Sequence, residues 1–192
     1  MALKKRIGVF GGSFNPVHNG HIHIVKSFLK SGVIDEMLIT LAPSPPHKDR
    51  TTQAPYHHRF RMLELAFAGF DQVTISDLEK SLPVPSYSLQ TIQSLKASNP
   101  TCQFFLCMGE DSLEGFHTWH RYKELLAEVT LLVAARPGSN AGLVTEQILK
   151  KTIFVSNSEL DISSSTVRSG TAGKHALPES VAEYIRTQNL YS

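Results

Sequence analysis

The chain has 192 residues, enough for one well-buried core, and its length favours a single domain over residues 1–192. Hydrophobic residues make up 41% and charged residues 19%, ordinary values for a soluble globular protein. A net charge of +2 excludes a surface built for bulk nucleic-acid binding, although a local basic cluster can still hold phosphate.

No repeat or low-complexity linker interrupts the chain; what recurs is strand followed by helix. The apolar run over 6–10 predicts a first strand. Ile22, Val25, Phe28 and Leu29 follow at helical spacing, closed by Gly32 at a C′ position. Met37–Leu41 reads as a second strand, broken by the prolines of 43–46. Pro55 opens a helix with Phe60, Leu63 and Phe67 on one face, and its Arg59 and Arg61 read as a solvated side. Val73–Ile75 is a short strand, and Leu89, Ile92 and Leu95 mark a helix ended by Asn99–Pro100.

Phe104–Cys107 is a strand whose unbroken hydrophobicity suits burial on both faces. Cys102 and Cys107 lie roughly 16 Å apart along it and point to opposite faces, so they cannot bond to each other. Two unpaired thiols without a secretory leader point to a reducing, cytoplasmic setting. No apolar run approaches the roughly 20 residues needed to span a bilayer. Thr130–Ala134 is a further strand, stopped by Arg136–Pro137–Gly138, with a helix over 143–150 and a strand at Ile153–Val155. Pro178–Leu190 closes the pattern as a helix with Val181, Tyr184 and Ile185 facing inward.

Alternating elements of this length call for an α/β fold of Rossmann-like type, a doubly wound, mostly parallel sheet with helices on both faces. Ligands in such sheets bind beyond the carboxyl ends of strands, at the switch point. That rule selects the loops 11–21, 42–48 and 108–111. Segments 43–46 and 110–120 are, on composition, the candidates for movement on binding.

The first loop is GGSFNPVHNGH, residues 11–21. It is neither a Walker A loop nor a full G-x-G-x-x-G fingerprint. It does place His18 and His21 on the opening turn of a helix, where i and i+3 share a face and N–H groups suit phosphate oxygens. Gly11 and Gly12 give clearance for a nucleotide, and Gly20 keeps the space between the histidines open. Zinc is the competing use, but no cysteine or acidic ligand accompanies the pair. His23 reads as a solvated or packing bystander.

The loop PSPPHKDR puts His47 and Lys48 after a proline-stiffened turn, as phosphate ligands or as a plain surface connection. In ISSSTVRSG, Ser163 and Ser164 precede a short helix with Arg168 one turn on; such serines are commonly only a cap.

These motifs, with PSYS at 85–88, GEDSL at 109–113 followed by Trp119, and the closing VAEYIRTQNLY, occur in the order seen in bacterial nicotinate-nucleotide adenylyltransferases. The sequence strongly resembles that family from about residue 6 onward. The H-x-G-H element alone marks only the wider nucleotidyltransferase superfamily, which includes phosphopantetheine adenylyltransferase; PSYS, the Trp119 context and the closing segment narrow the likeness to the pyridine-nucleotide branch. The resemblance implies transfer of AMP from ATP to nicotinate mononucleotide, giving nicotinate adenine dinucleotide and pyrophosphate, with Mg²⁺.

By that likeness His18, His21 and Arg168 are catalytic. Gly11, Gly12, Ser13, Phe14, Gly20, Gly109, Asp111, Ser163 and Ser164 would bind ATP, with residues 160–192 completing its site. His47, Lys48, Tyr87, Ser88 and Trp119 would bind the acceptor, Trp119 stacking on the pyridine and the amides near Tyr87–Ser88 reading its carboxylate. No residue is expected to be a resident metal ligand. Nucleic acid and membrane are not expected partners, and a homo-oligomer is compatible with the sequence. Asn15, Gln90 and Ser165 depart from the family's usual Asp, Asp and Thr. The rival readings are the same fold acting on nicotinamide mononucleotide or phosphopantetheine, a non-catalytic nucleotide sensor, and an RNA-binding relative.

Overall fold

The computed structural model describes residues 4–43, 53–135, 144–157, 162–173 and 175–191. Its strands are β1 (Arg6–Gly12), β2 (Glu36–Leu41), β3 (Val73–Ser76), β4 (Gln103–Gly109), β5 (Thr130–Ala135) and β6 (Thr152–Ser156). They form one sheet in the order β3-β2-β1-β4-β5-β6, every neighbouring pair parallel. The helices are α1 (Asn19–Lys30), α2 (Tyr56–Phe67), α3 (Ser88–Ser98), α4 (Glu110–Glu114), α5 (Tyr122–Glu128), α6 (Glu146–Leu149), α7 (Ser164–Arg168) and α8 (Glu179–Thr187).

Both faces of the sheet are covered, as unbroken apolar strands require. On one face Val25 and Phe28 of α1, Met62 and Leu63 of α2 and Val181 of α8 pack against Met37 and Ile39. On the other, Leu89 and Ile92 of α3 and Leu125 and Leu126 of α5 pack against Leu106, Leu131 and Val133. Helix α1 ends as expected, with Gly32 at φ +69°, the left-handed region that glycine enters without a Cβ penalty.

The structure departs from expectation in the short elements. The segment 110–120 forms α4 and a 3₁₀ turn (Phe116–Thr118) rather than an irregular loop, α5 follows it, and a 3₁₀ turn spans Leu78–Ser81. Helix α6 takes only four residues of 143–150. The stop at 136–138 and the prolines at 45 and 46 lie outside the described residues.

The register places the binding crevice. Strands β1 and β4 pair only as far as Val9↔Leu106. Beyond that β1 continues along β2 to Gly12↔Leu41, and β4 along β5 to Gly109↔Ala134. The sheet therefore parts at its centre, where the chain order reverses.

The loop leaving β1 is unusual because Ser13 to His18 are all buried. Buried carbonyls need donors, and a loop cannot supply its own. Arg59 meets this demand at Ser13 and joins the loop to its neighbours. It is 1% exposed, and its guanidinium donates to the carbonyls of Ser13 (2.7 Å), Ala42 (3.0 Å), Pro43 (3.2 Å) and, through Nε, Ala54 (2.9 Å). Arg168 Nη1 donates to Asn15 O at 2.7 Å and Ser164 Oγ to Pro16 O at 3.0 Å.

Arg59 is thus the opposite of a solvated side chain, and the buried face of α2 is Arg59, Met62, Leu63, Ala66 and Phe67, with Phe60 half-buried beside it. Arg61 does face solvent, paired with Glu64 at 2.9 Å. Because four carbonyls lose their donor at once, Arg59→Ala is expected to lower unfolding free energy by at least about 3 kcal/mol. Arg61→Ala should change it by no more than ~0.5 kcal/mol. Urea unfolding of the two variants decides the assignment.

Candidate active site

Two cavities open where the sheet parts, and both are walled by Phe10, Gly11, Gly12, Ser13, Gly109 and Ser112. The larger, about 670 Å³, also takes in Phe14, His18, Gly20, His21, Asp111, Ser163, Ser164 and Arg168. The smaller, about 320 Å³, takes in Tyr87, Ser88 and Trp119. The residues expected at the ATP and acceptor sites are thus brought together as two groups sharing one rim. His47 and Lys48 lie outside the described residues.

The histidines are organised by the start of α1. His18 is its N-cap, and its backbone N–H donates to His21 Nδ1 at 3.2 Å. An Nδ1 that accepts leaves the proton of a neutral imidazole on Nε2, so this contact sets the tautomer of His21. The two rings lie 3.7 Å apart between centroids. His18 sits over Gly20, where a Cβ would come 3.0 Å from His18 Nδ1. The space above Gly20 therefore houses the His18 ring instead of standing open between the pair. Asn19 N–H is committed to Ala176 O at 2.8 Å, so not every N–H of this first turn is available to phosphate.

Burial pushes the His18 imidazole down to about 4, and its Nδ1 is buried with no hydrogen-bond partner among the described residues. In the resting site His18 is consequently a neutral donor or acceptor. His23, expected as a bystander, also lines the larger cavity.

The glycine turn has internal uses as well. A Cβ on Gly12 would meet the Phe14 ring at 3.0 Å, and one on Gly11 would meet Thr40 Oγ1 at 3.1 Å. Phe14 itself holds φ 41°, rare for a bulky residue. Its ring edge faces Phe10 at 5.6 Å and His21 at 5.0 Å, flooring the histidine site.

Helix α7 has only five residues, so what it brings is side chains rather than a long helix dipole. Ser163 is a cap, accepting from Thr166 N at 3.1 Å, which is the commonplace role of such serines. Ser164 and Arg168 line the cavity while bonded to the loop at Pro16 and Asn15. Asn15 Oδ1 accepts from Ala54 N at 3.0 Å and Tyr191 O–H at 2.7 Å, a role that a carboxylate would fill equally.

In the smaller cavity Trp119 leans on Phe116 at 5.4 Å, and Tyr87 caps α3. Gln90 accepts from Tyr87 N at 3.0 Å, a reciprocal cap that needs an acceptor oxygen at this position. Pattern reading missed two lining residues here, Glu79 and His120. Glu79, 8% exposed, accepts from Ser86 Oγ (3.1 Å) and Thr91 Oγ1 (3.3 Å) and so ties the 3₁₀ turn to the start of α3. An acidic residue in a four-residue turn carries no periodic signal.

The cytidylyltransferase-like family model matches residues 9–170. A Gloeobacter violaceus protein named probable nicotinate-nucleotide adenylyltransferase is 35% identical, over 98% of this chain and 97% of its own. A Geobacter sulfurreducens protein of the same name is 32% identical, over 97% and 98%. In fold, the chain is similar to a Plasmodium falciparum nicotinic acid mononucleotide adenylyltransferase complexed with NaAD. The TM-score is 0.79 at 20% identity, over 97% of each chain.

The burial of His18 gives a signed pH dependence. Below about pH 6.5 the unfolded chain takes up a proton here, while the native ring stays neutral until about 4. Stability should therefore fall as pH drops through that window, this group alone removing about 2 kcal/mol between roughly pH 7.5 and 5. Denaturant unfolding of wild type and His18→Asn at both pH values measures it: the variant should lose correspondingly less. Equal losses would show that His18 titrates normally.

Proposed function

The chain belongs to the cytidylyltransferase-like family, and we infer that within it the protein transfers AMP from ATP to nicotinate mononucleotide. The products are nicotinate adenine dinucleotide and pyrophosphate, placing the enzyme in NAD biosynthesis. The observation that carries the reading is the paired cavity. A histidine-, serine- and arginine-lined compartment meets an aromatic one across the bare edge of Gly11, Gly12 and Gly109. Two nucleotides laid in them would touch at that rim, as joining their phosphates requires.

The acceptor's phosphate is ionised at neutral pH, so no general base is needed. One of its oxygens attacks the α-phosphorus of ATP, a P–O bond forms, and the bond to the β-phosphate's bridging oxygen breaks with that electron pair. Catalysis is then positioning plus stabilisation of charge on the leaving pyrophosphate. His21 donates from Nε2, with its tautomer held by the His18 amide. His18 begins neutral, and a bound triphosphate favours its protonation, so it can follow the developing charge. Arg168 and the hydroxyl of Ser164 border the same compartment.

Mg²⁺ accompanies ATP as a phosphate-bound ion. Among the described residues no group of three or more His, Cys, Asp or Glu is arranged to hold a metal. The residue that would offer an oxygen to such an ion is Asp111, whose carboxylate lies on the wall of the larger cavity. When bound, the ion neutralises phosphate charge. Among the described residues no helix is long and apolar enough to cross a membrane. We place the protein in the cytoplasm with ATP and nicotinate mononucleotide as its partners.

Acceptor choice falls to the smaller cavity. Trp119 offers a ring face, and because Tyr87 N–H is committed to Gln90, the α3 amide assigned to the pyridine carboxylate is that of Ser88. Pyrophosphate release from ATP, assayed with nicotinate mononucleotide, nicotinamide mononucleotide and phosphopantetheine, tests the whole reading. The acid mononucleotide should give the highest kcat/KM, and preference for another acceptor would sink it. His21→Ala should lower kcat at least about tenfold, the scale of one lost transition-state hydrogen bond.

A further inference from the structure

Two rings meet at the smaller cavity: Tyr87, the cap of α3, and His120, with centroids 4.2 Å apart and planes 23° from parallel. Both line the cavity, and His120 is otherwise exposed. It is delivered by a turn in which Trp119 is extended and Arg121 is left-handed at φ 53°. Arg121 is held there by a two-pronged contact to Glu124, Nε to Oε1 at 2.7 Å and Nη2 to Oε2 at 2.5 Å. An ion pair outside the cavity thus follows directly on the turn that presents His120.

The charges around this cavity are lopsided. Glu79 contributes a buried carboxylate to its wall. Among the described lining residues there is no lysine and no arginine, and His120 is the one side chain that can become a cation. Arg121, next in the chain, is committed to Glu124. A carboxylate entering here meets repulsion from Glu79 and has a single cationic side chain to meet it.

We propose that His120 is a specificity-determining residue, whose imidazolium, stacked on Tyr87, pairs with the carboxylate of an acidic pyridine ring and orients it away from Glu79. The proposal rests on the reading that the acceptor is a pyridine mononucleotide. The groups facing His120 are Tyr87 from α3, Glu124 from α5, and Glu79 across the cavity. Glu124 lies near His120 on the α5 side, with its charge already shared by Arg121.

The test is the ratio of kcat/KM for nicotinate mononucleotide to that for nicotinamide mononucleotide, followed from about pH 5.5 to 8.5, the range in which histidine side chains titrate. The shared phosphate and the histidines of the larger cavity act on both substrates, so their titrations cancel in the ratio. Wild type should lose about tenfold in the ratio across this range, one charge-assisted hydrogen bond's worth. His120→Gln should have a low ratio that does not change with pH, and His120→Arg a high one equally flat. Misfolding of a variant lowers both substrates together and leaves the ratio. A wild-type ratio independent of pH, or His120→Gln retaining the wild-type slope, overturns the proposal. Transfer to neither mononucleotide by the wild type overturns the underlying function as well, and is told apart by that activity alone.

Discussion

Residues 13–18 are loop and they are buried, and that combination governs the rest of the site. A buried irregular segment must find donors for its carbonyls elsewhere in the chain, since an orphaned one costs on the order of 1–3 kcal/mol. Here they come from Arg59 on α2 and from Ser164 and Arg168 on α7. Arg59 also binds the carbonyls of Ala42 and Pro43, so one guanidinium joins the exits of β1 and β2 to the start of α2. No carboxylate pairs with Arg59 among the described residues. Carbonyl dipoles carry its charge together with the Tyr56 ring, whose centroid lies 5.6 Å from the guanidinium carbon, and burial lowers its pKa without removing the proton. The loop is rigid for the reason that makes it costly, and the His18–His21 pair inherits that rigidity.

The division of labour between the cavities follows from sheet register. Because β1 and β4 cease to pair after Val9 and Leu106, each strand end can serve one compartment on either side without breaking a ladder bond. Glycines at both ends keep the shared rim bare. The larger compartment has the groups suited to phosphate, and the smaller has rings and one buried carboxylate. Cationic and hydroxyl side chains gather at one end of the crevice and aromatic rings at the other.

Much of this was legible in the residues. Apolar runs located all six strands, and the spacing of Ile22, Val25 and Phe28 with Gly32 beyond located α1, because burial of one helix face leaves a periodic mark. Arg59 was illegible for the same reason. Its burial depends on carbonyls up to 46 residues away, and a hydrophobic wheel of α2 assigns an arginine to water. His18 was recognised by position, but its neutral state depends on packing against Gly20 and could not be read from spacing. Helices α4 and α5 were missed since five and seven residues give too few turns for a period. His120 left no signal, for only the fold brings it to Tyr87. The chemistry of H-x-G-H was visible because it is local, and its support was not because it is distant.

The bond from Tyr191 to Asn15 has a consequence for how the protein is made. Chains leave the ribosome from the amino end, so β1 and its loop emerge first and must wait for their partners. Arg59 arrives early, Ser164 and Arg168 late, and Tyr191 later still. A nascent chain can therefore assemble most of its sheet while the loop still lacks its late donors, and Asn15 gains its Tyr191 partner only after residue 191 has been added.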